Sequence, residues 1–109
     1  MAYDEGVAQR LREAFVEQPG VVEKKMFGGL TFMVRGHMCC GVATDDLMVR
    51  VGPEQYEEAL TLSGAREMDF TKRPMRGMVM VSSAGYALDE DLAAWVERGL
   101  KFVTSLPPK

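Results

Sequence analysis

The chain has 109 residues and a mass of 12.1 kDa, with 47% apolar and 27% charged residues, the proportions of one folded domain with one core. Thirteen Lys and Arg against sixteen Asp and Glu leave a net charge of −3, so the body as a whole repels phosphate and anionic lipid, and any nucleic-acid contact has to be local. No apolar run approaches the ~20 residues that span a bilayer, and Met1 to Glu5 lacks the basic-then-apolar layout of a secretion signal; the expectation is a cytoplasmic protein that makes no membrane contact.

In residues 4–18, Val7, Ala8, Leu11, Ala14 and Phe15 recur at the three-and-four spacing of a helical stripe, with Asp4 placed to cap the start and Pro19-Gly20 to end it. The pattern then changes to short β-rich runs at 21–26, 30–34, 37–43 and 47–51, joined by turn residues, which predicts a four-stranded meander. Alternation of Leu30, Phe32 and Val34 with Thr31, Met33 and Arg35 gives the sheet one buried face. Gly52-Pro53 marks the start of a short second helix, with Pro53 as its first helical residue and Tyr56, Ala59 and Leu60 as its apolar edge. Residues 65–77 lack a clean period and read mostly as loop, and a fifth strand follows at 78–82. Leu92, Trp95, Val96, Gly99, Phe102, Val103 and Leu106 form the stripe of a closing helix, with Asp89, Glu90 and Asp91 at its positive end and Lys101 near its negative end. The order αββββαβα lacks a β-α-β alternation. It predicts an α+β, two-layer fold, a largely antiparallel five-stranded sheet packed by helices, in a single domain over 1–109.

Candidate chemistry is sparse. The only cysteines, Cys39 and Cys40, are adjacent and too close along the chain for an unstrained disulfide, so they read as reduced thiols. On a regular strand His37 and Cys39 share a face and Cys40 points the other way, which argues against one metal ion held by all three. A Cys39–His37 nucleophile and base can approach, but nothing in the sequence supplies an orienting carboxylate or an oxyanion hole. No catalytic residue, metal site or cofactor is therefore assigned. Met26-Phe27-Gly28-Gly29 fits neither GxGxxG nor GxxxxGK[ST] and reads as a structural turn or bulge, with Phe27 packed under a helix. Arg66, Lys72, Arg73 and Arg76 make the one locally basic stretch, suited to an acidic protein surface before nucleic acid. Met33, Met48 and Arg50 fall on the sheet face opposite the helices, the face expected to receive a partner, including a second copy in a homodimer.

Met26 to Gly29 after Lys25, then 47–52 with Pro53 and Tyr56, resemble the N-terminal domain of the TfoX/Sxy competence regulators. Residues 64–70, 74–81 and the closing helix with Asp91, Leu92, Trp95, Val96 and Leu100 look like the rest of that domain, so the resemblance covers nearly the whole chain. It implies a secretion-chaperone-like α+β fold and no catalytic residue. Larger TfoX-like proteins promote transcription of DNA-uptake genes together with the cyclic-AMP receptor protein and carry a second, C-terminal domain, which this sequence, ending at Lys109, does not include. The resulting expectation is a non-enzymatic regulatory or adaptor domain that binds another protein, such as a transcription factor. The alternatives are a direct nucleic-acid-binding module and a thiol enzyme or sensor using Cys39 or Cys40.

Overall fold

A computed structural model describes residues 3–26, 28–67 and 77–107. Helix α1 (Glu5–Ala14) begins where the Val7 amide donates to Asp4 Oδ1 at 3.1 Å, the cap expected from the sequence. It leads into a meander of β1 (Val21–Met26), β2 (Gly29–Val34), β3 (His37–Ala43) and β4 (Asp46–Arg50). Helix α2 (Tyr56–Leu60), β5 (Ala65–Glu67), β6 (Met78–Val81) and α3 (Asp89–Val103) complete the chain. The sheet has the order β1-β2-β3-β4-β6-β5, and every pair is antiparallel.

The α+β architecture and the alternation of faces agree with the sequence, with three differences, the first being that α1 ends at Ala14, with Phe15 as its C-cap, ahead of the stop read at Pro19-Gly20. Among the described residues the sheet has six strands rather than five. Three residues, two of them exposed, are too few to carry a period-2 signal, and β5 becomes a strand only because β6 offers it an edge. The second helix starts at Tyr56 rather than Pro53, residues 53–55 forming a turn ahead of it.

One face of the sheet holds both long helices. Leu11 and Phe15 of the α1 segment, Phe32, Val34, Val42, Val49 and Val81 of the sheet, and Leu92, Trp95, Val96 and Val103 of α3 form one buried cluster. Each large aliphatic or aromatic side chain taken fully out of water there contributes about 1.5–3 kcal/mol. The Phe15 and Phe32 rings stack at 5.2 Å, fastening the end of α1 to β2. Polar ties hold the helical layer in register. Arg10 donates through Nη2 to the carbonyls of Tyr86 and Ala87 and to Asp89 at 3.0–3.2 Å, and Trp95 Nε1 donates to the Gly85 carbonyl at 3.1 Å. Arg98 joins α3 to α2 through Glu58 at 3.2 Å.

The other face carries Met38, Ala43, Met48, Met78 and Met80, all buried, with Met33 partly so. Both chain ends are fastened to β3 or its turn. The Asp4 amide donates to the Thr44 carbonyl at 2.6 Å, and His37 Nε2 meets the Pro107 carbonyl at 2.6 Å.

Candidate functional site

The side chains with nucleophile or ligand chemistry lie on β3, and the pairing of that strand decides what they can do. Phe32 pairs with Cys40, but its neighbour Met33 pairs with Met38, so Cys39 is an extra residue on β3 and the register slips by one. Such a β-bulge breaks the alternation that a regular strand imposes. Cys40 sits opposite Phe32 and Val49, both on the helix side, and Cys39 turns into the same core. The reading that Cys40 points away from Cys39 is therefore corrected: both thiols face α3, with their Sγ atoms 3.9 Å apart.

Helix α3 meets them at Gly99. A Cβ built there falls 3.0 Å from Cys39 Sγ, 3.1 Å from Cys40 Sγ and 3.2 Å from the Cys39 carbonyl, so the missing side chain admits the pair. Cys39 is 0% exposed and Cys40 1%. The hydrogen bond with Cys39, together with burial, holds the Cys40 thiol well above its ordinary value of 9.0, so the thiolate, the reactive form, is disfavoured.

This shift gives stability a pH dependence of definite sign. A thiol whose folded pKa exceeds its unfolded one contributes fully below pH 9.0, and that contribution falls away as pH rises from 9.0 through the folded value. Denaturant titrations are expected to show the native protein losing about 1.4 kcal/mol more per pH unit above that point than a Cys40→Ala variant. Parallel pH profiles for the two proteins would contradict the assignment.

His37 pairs with Val34 and is 7% exposed. Its Nε2 faces the Pro107 carbonyl, which can only accept, and so donates to it, while Nδ1 is buried with no hydrogen-bond partner among the described residues. Among the described residues no three His, Cys, Asp or Glu side chains converge as a metal-binding group would. Two surface hollows, of ≈240 Å³ beside Phe102 and ≈270 Å³ beside Trp95, have neither Cys nor His in their walls.

The remaining candidates are dispersed. Arg66 lies on β5 opposite Met80 and reaches Asp46 Oδ2 at 2.6 Å. Lys72, Arg73 and Arg76 lie outside the described residues, as does Phe27. On the outer face Met48 is 0% exposed and Met33 half-buried. Arg50 is half-buried and stacks 5.3 Å from the centroid of the Phe102 ring.

Gly28 and Gly29 sit where the chain passes from β1 into β2. Gly28 takes φ +72° in the hairpin turn, and a Cβ on Gly29 would fall 2.1 Å from the Val42 carbonyl oxygen. Sequence reasoning missed the Cys39–Cys40–Gly99 contact. Two successive core-type residues in an otherwise alternating strand, and a glycine in the middle of an apolar helical stripe, were the signals available for it.

In class the structure is a helix-on-antiparallel-sheet domain whose two thiols and single imidazole are buried in its packing. The sequence matches the TfoX N-terminal domain family over residues 13–103, most of the chain. The chain belongs to that family, which makes it a TfoX-like, competence-related domain. No curated protein and no solved structure matches it. Among the described residues no helix is long and apolar enough to cross a membrane.

Proposed function

We propose that this domain is a non-enzymatic, cytoplasmic regulatory or adaptor module that acts by gripping another protein, with a transcription factor controlling DNA uptake as the partner class. The observation that carries the reading is the burial of His37, Cys39 and Cys40. The chain's only imidazole and its only two thiols are all buried, which favours surface contact as the means of action. Membership of the TfoX N-terminal domain family supports the regulatory setting.

The contact surface in this reading is the basic segment with Arg66, Lys72, Arg73 and Arg76. Four cations against Glu67 and Asp69 give the segment a local charge of +2 within an acidic protein, which suits an acidic patch on a folded partner better than a polyanion. The module works without a cofactor.

The test is capture of partners from a native lysate by the wild type and by an Arg73→Glu/Arg76→Glu variant. Loss of a transcription factor with the variant is the expected result; equal recovery of every partner rejects the role of the segment. Retardation of labelled DNA that weakens steeply with salt, in the absence of any captured protein, would replace this reading with direct nucleic-acid binding.

A further inference from the structure

β1 ends the sheet on one side, and no strand pairs with its outer edge among the described residues. Its burial is low along its length, with Val22, Glu23, Lys24 and Lys25 exposed and Val22 at 62%. The other edge, β5, is three residues long. A six-residue free edge is a template for another strand unless its side chains oppose pairing.

The direction of the free backbone groups follows from the ladder. The Arg35 amide donates to the Gly20 carbonyl at 3.3 Å, so Gly20 and Arg35 form a hydrogen-bonded pair. By alternation Val22, Lys24 and Met26 direct N–H and C=O toward β2, and Val21, Glu23 and Lys25 direct theirs outward. The Thr31 hydroxyl, which donates to the Lys24 carbonyl at 2.7 Å, agrees with this phase. Side chains follow the same alternation. Glu23 faces the helical layer, where Arg12 Nε holds it at 2.8 Å, and Lys25 shares that side, whereas Val22, Lys24 and Met26 share the other.

We propose that β1 is a self-association edge, on which a second copy of this chain adds its own β1 antiparallel about a two-fold axis at Lys24. Two-fold symmetry requires one residue to face its own copy. With Lys24 at the axis, Glu23 and Lys25 exchange backbone hydrogen bonds with Lys25 and Glu23 of the other copy, and their side chains form two reciprocal ion pairs on the helix side. Val22 meets Met26 of the other copy on the opposite side, covering the exposed valine. The one unfavourable contact is between the two Lys24 side chains, which can splay into solvent. Centring the axis on Glu23 instead sets two carboxylates together and leaves both lysines opposite valines, so the charge pattern selects the first register. The result is one continuous sheet across two copies, at the small, reversible end of interface sizes.

Sedimentation of the full chain over a concentration series tests this with two charge reversals. Lys25→Glu places Glu opposite Glu twice, and Glu23→Lys places Lys opposite Lys twice, so each variant alone is expected to associate at least about tenfold more weakly than the wild type. Mixed one to one they restore both ion pairs, and a heterodimer of wild-type affinity is the expected result. Circular dichroism of each variant confirms that the fold is retained. A wild type that stays monomeric at the highest concentration, variants that dimerise undiminished, or a mixture no tighter than its components would each overturn the proposal. Undiminished dimers would place any self-association on the outer sheet face instead.

Discussion

Gly29→Ala is expected to destabilise the domain by at least about 3 kcal/mol, beyond the usual cost of overpacking, because the added methyl meets main chain rather than a movable side chain. A Cβ at this position falls 2.1 Å from the Val42 carbonyl oxygen and 2.9 Å from Ala43 Cα. Leu30 pairs with Val42 next to it, so relief requires parting β2 from β3 where the sheet is fully buried. For a domain with typical stability of about 5–15 kcal/mol, the loss is a large fraction of the total. Urea titration followed by tryptophan fluorescence measures it through Trp95, the single indole, which is buried. Gly28→Ala, where a Cβ meets nothing within 4 Å and only the φ of +72° is strained, is expected to cost much less. A Gly29→Ala variant of unchanged midpoint would refute the close approach.

The second large effect belongs to Gly99→Leu. Leucine is a better helix former than glycine by close to 1 kcal/mol, so propensity alone favours the variant. The side chain, however, has to enter the space filled by Cys39 Sγ, Cys40 Sγ and the Cys39 carbonyl. All three belong to the bulge, and both cysteines are buried, so α3 is lifted from β3. A net loss of about 3 kcal/mol or more is expected. Adding Cys40→Ala removes one of the obstructing sulfurs. The double variant is expected to be at least about 1 kcal/mol more stable than the sum of the two single changes. Strict additivity would show that the helix rests elsewhere.

The parts of the fold that were legible in the sequence are those where one element's own periodicity decides its fate. The stripe from Leu92 to Val103 could only be a helix laid on a core, and Asp4 caps the start of α1 by local backbone chemistry, whereas the helix ends at Ala14, ahead of the stop read at Pro19. β5 was not legible, because Ala65, Arg66 and Glu67 owe their conformation to β6 rather than to their own pattern. The candidate site divides the same way. That Cys39, Cys40 and His37 are the chain's reactive types is plain from composition, but their directions depend on a one-residue slip against β2, a property of two strands together. Alternation likewise puts Met33 and Met48 on one face without saying how much of that face stays wet, and Met48 proves fully buried. Lys72, Arg73 and Arg76 lie outside the described residues, so the basic segment is known by its charge and not by its shape.

The fastening of both chain ends to β3 also fixes geometry beyond the domain. Asp4 is held beside the turn that follows the strand, at Thr44, and Pro107 at the strand's first residue, His37. The seven-residue strand His37–Ala43, shortened by its bulge, sets these anchors roughly 20 Å apart at its two ends. Polypeptides fused to the two ends would therefore start from opposite ends of one strand, with the domain as a spacer of fixed length between them.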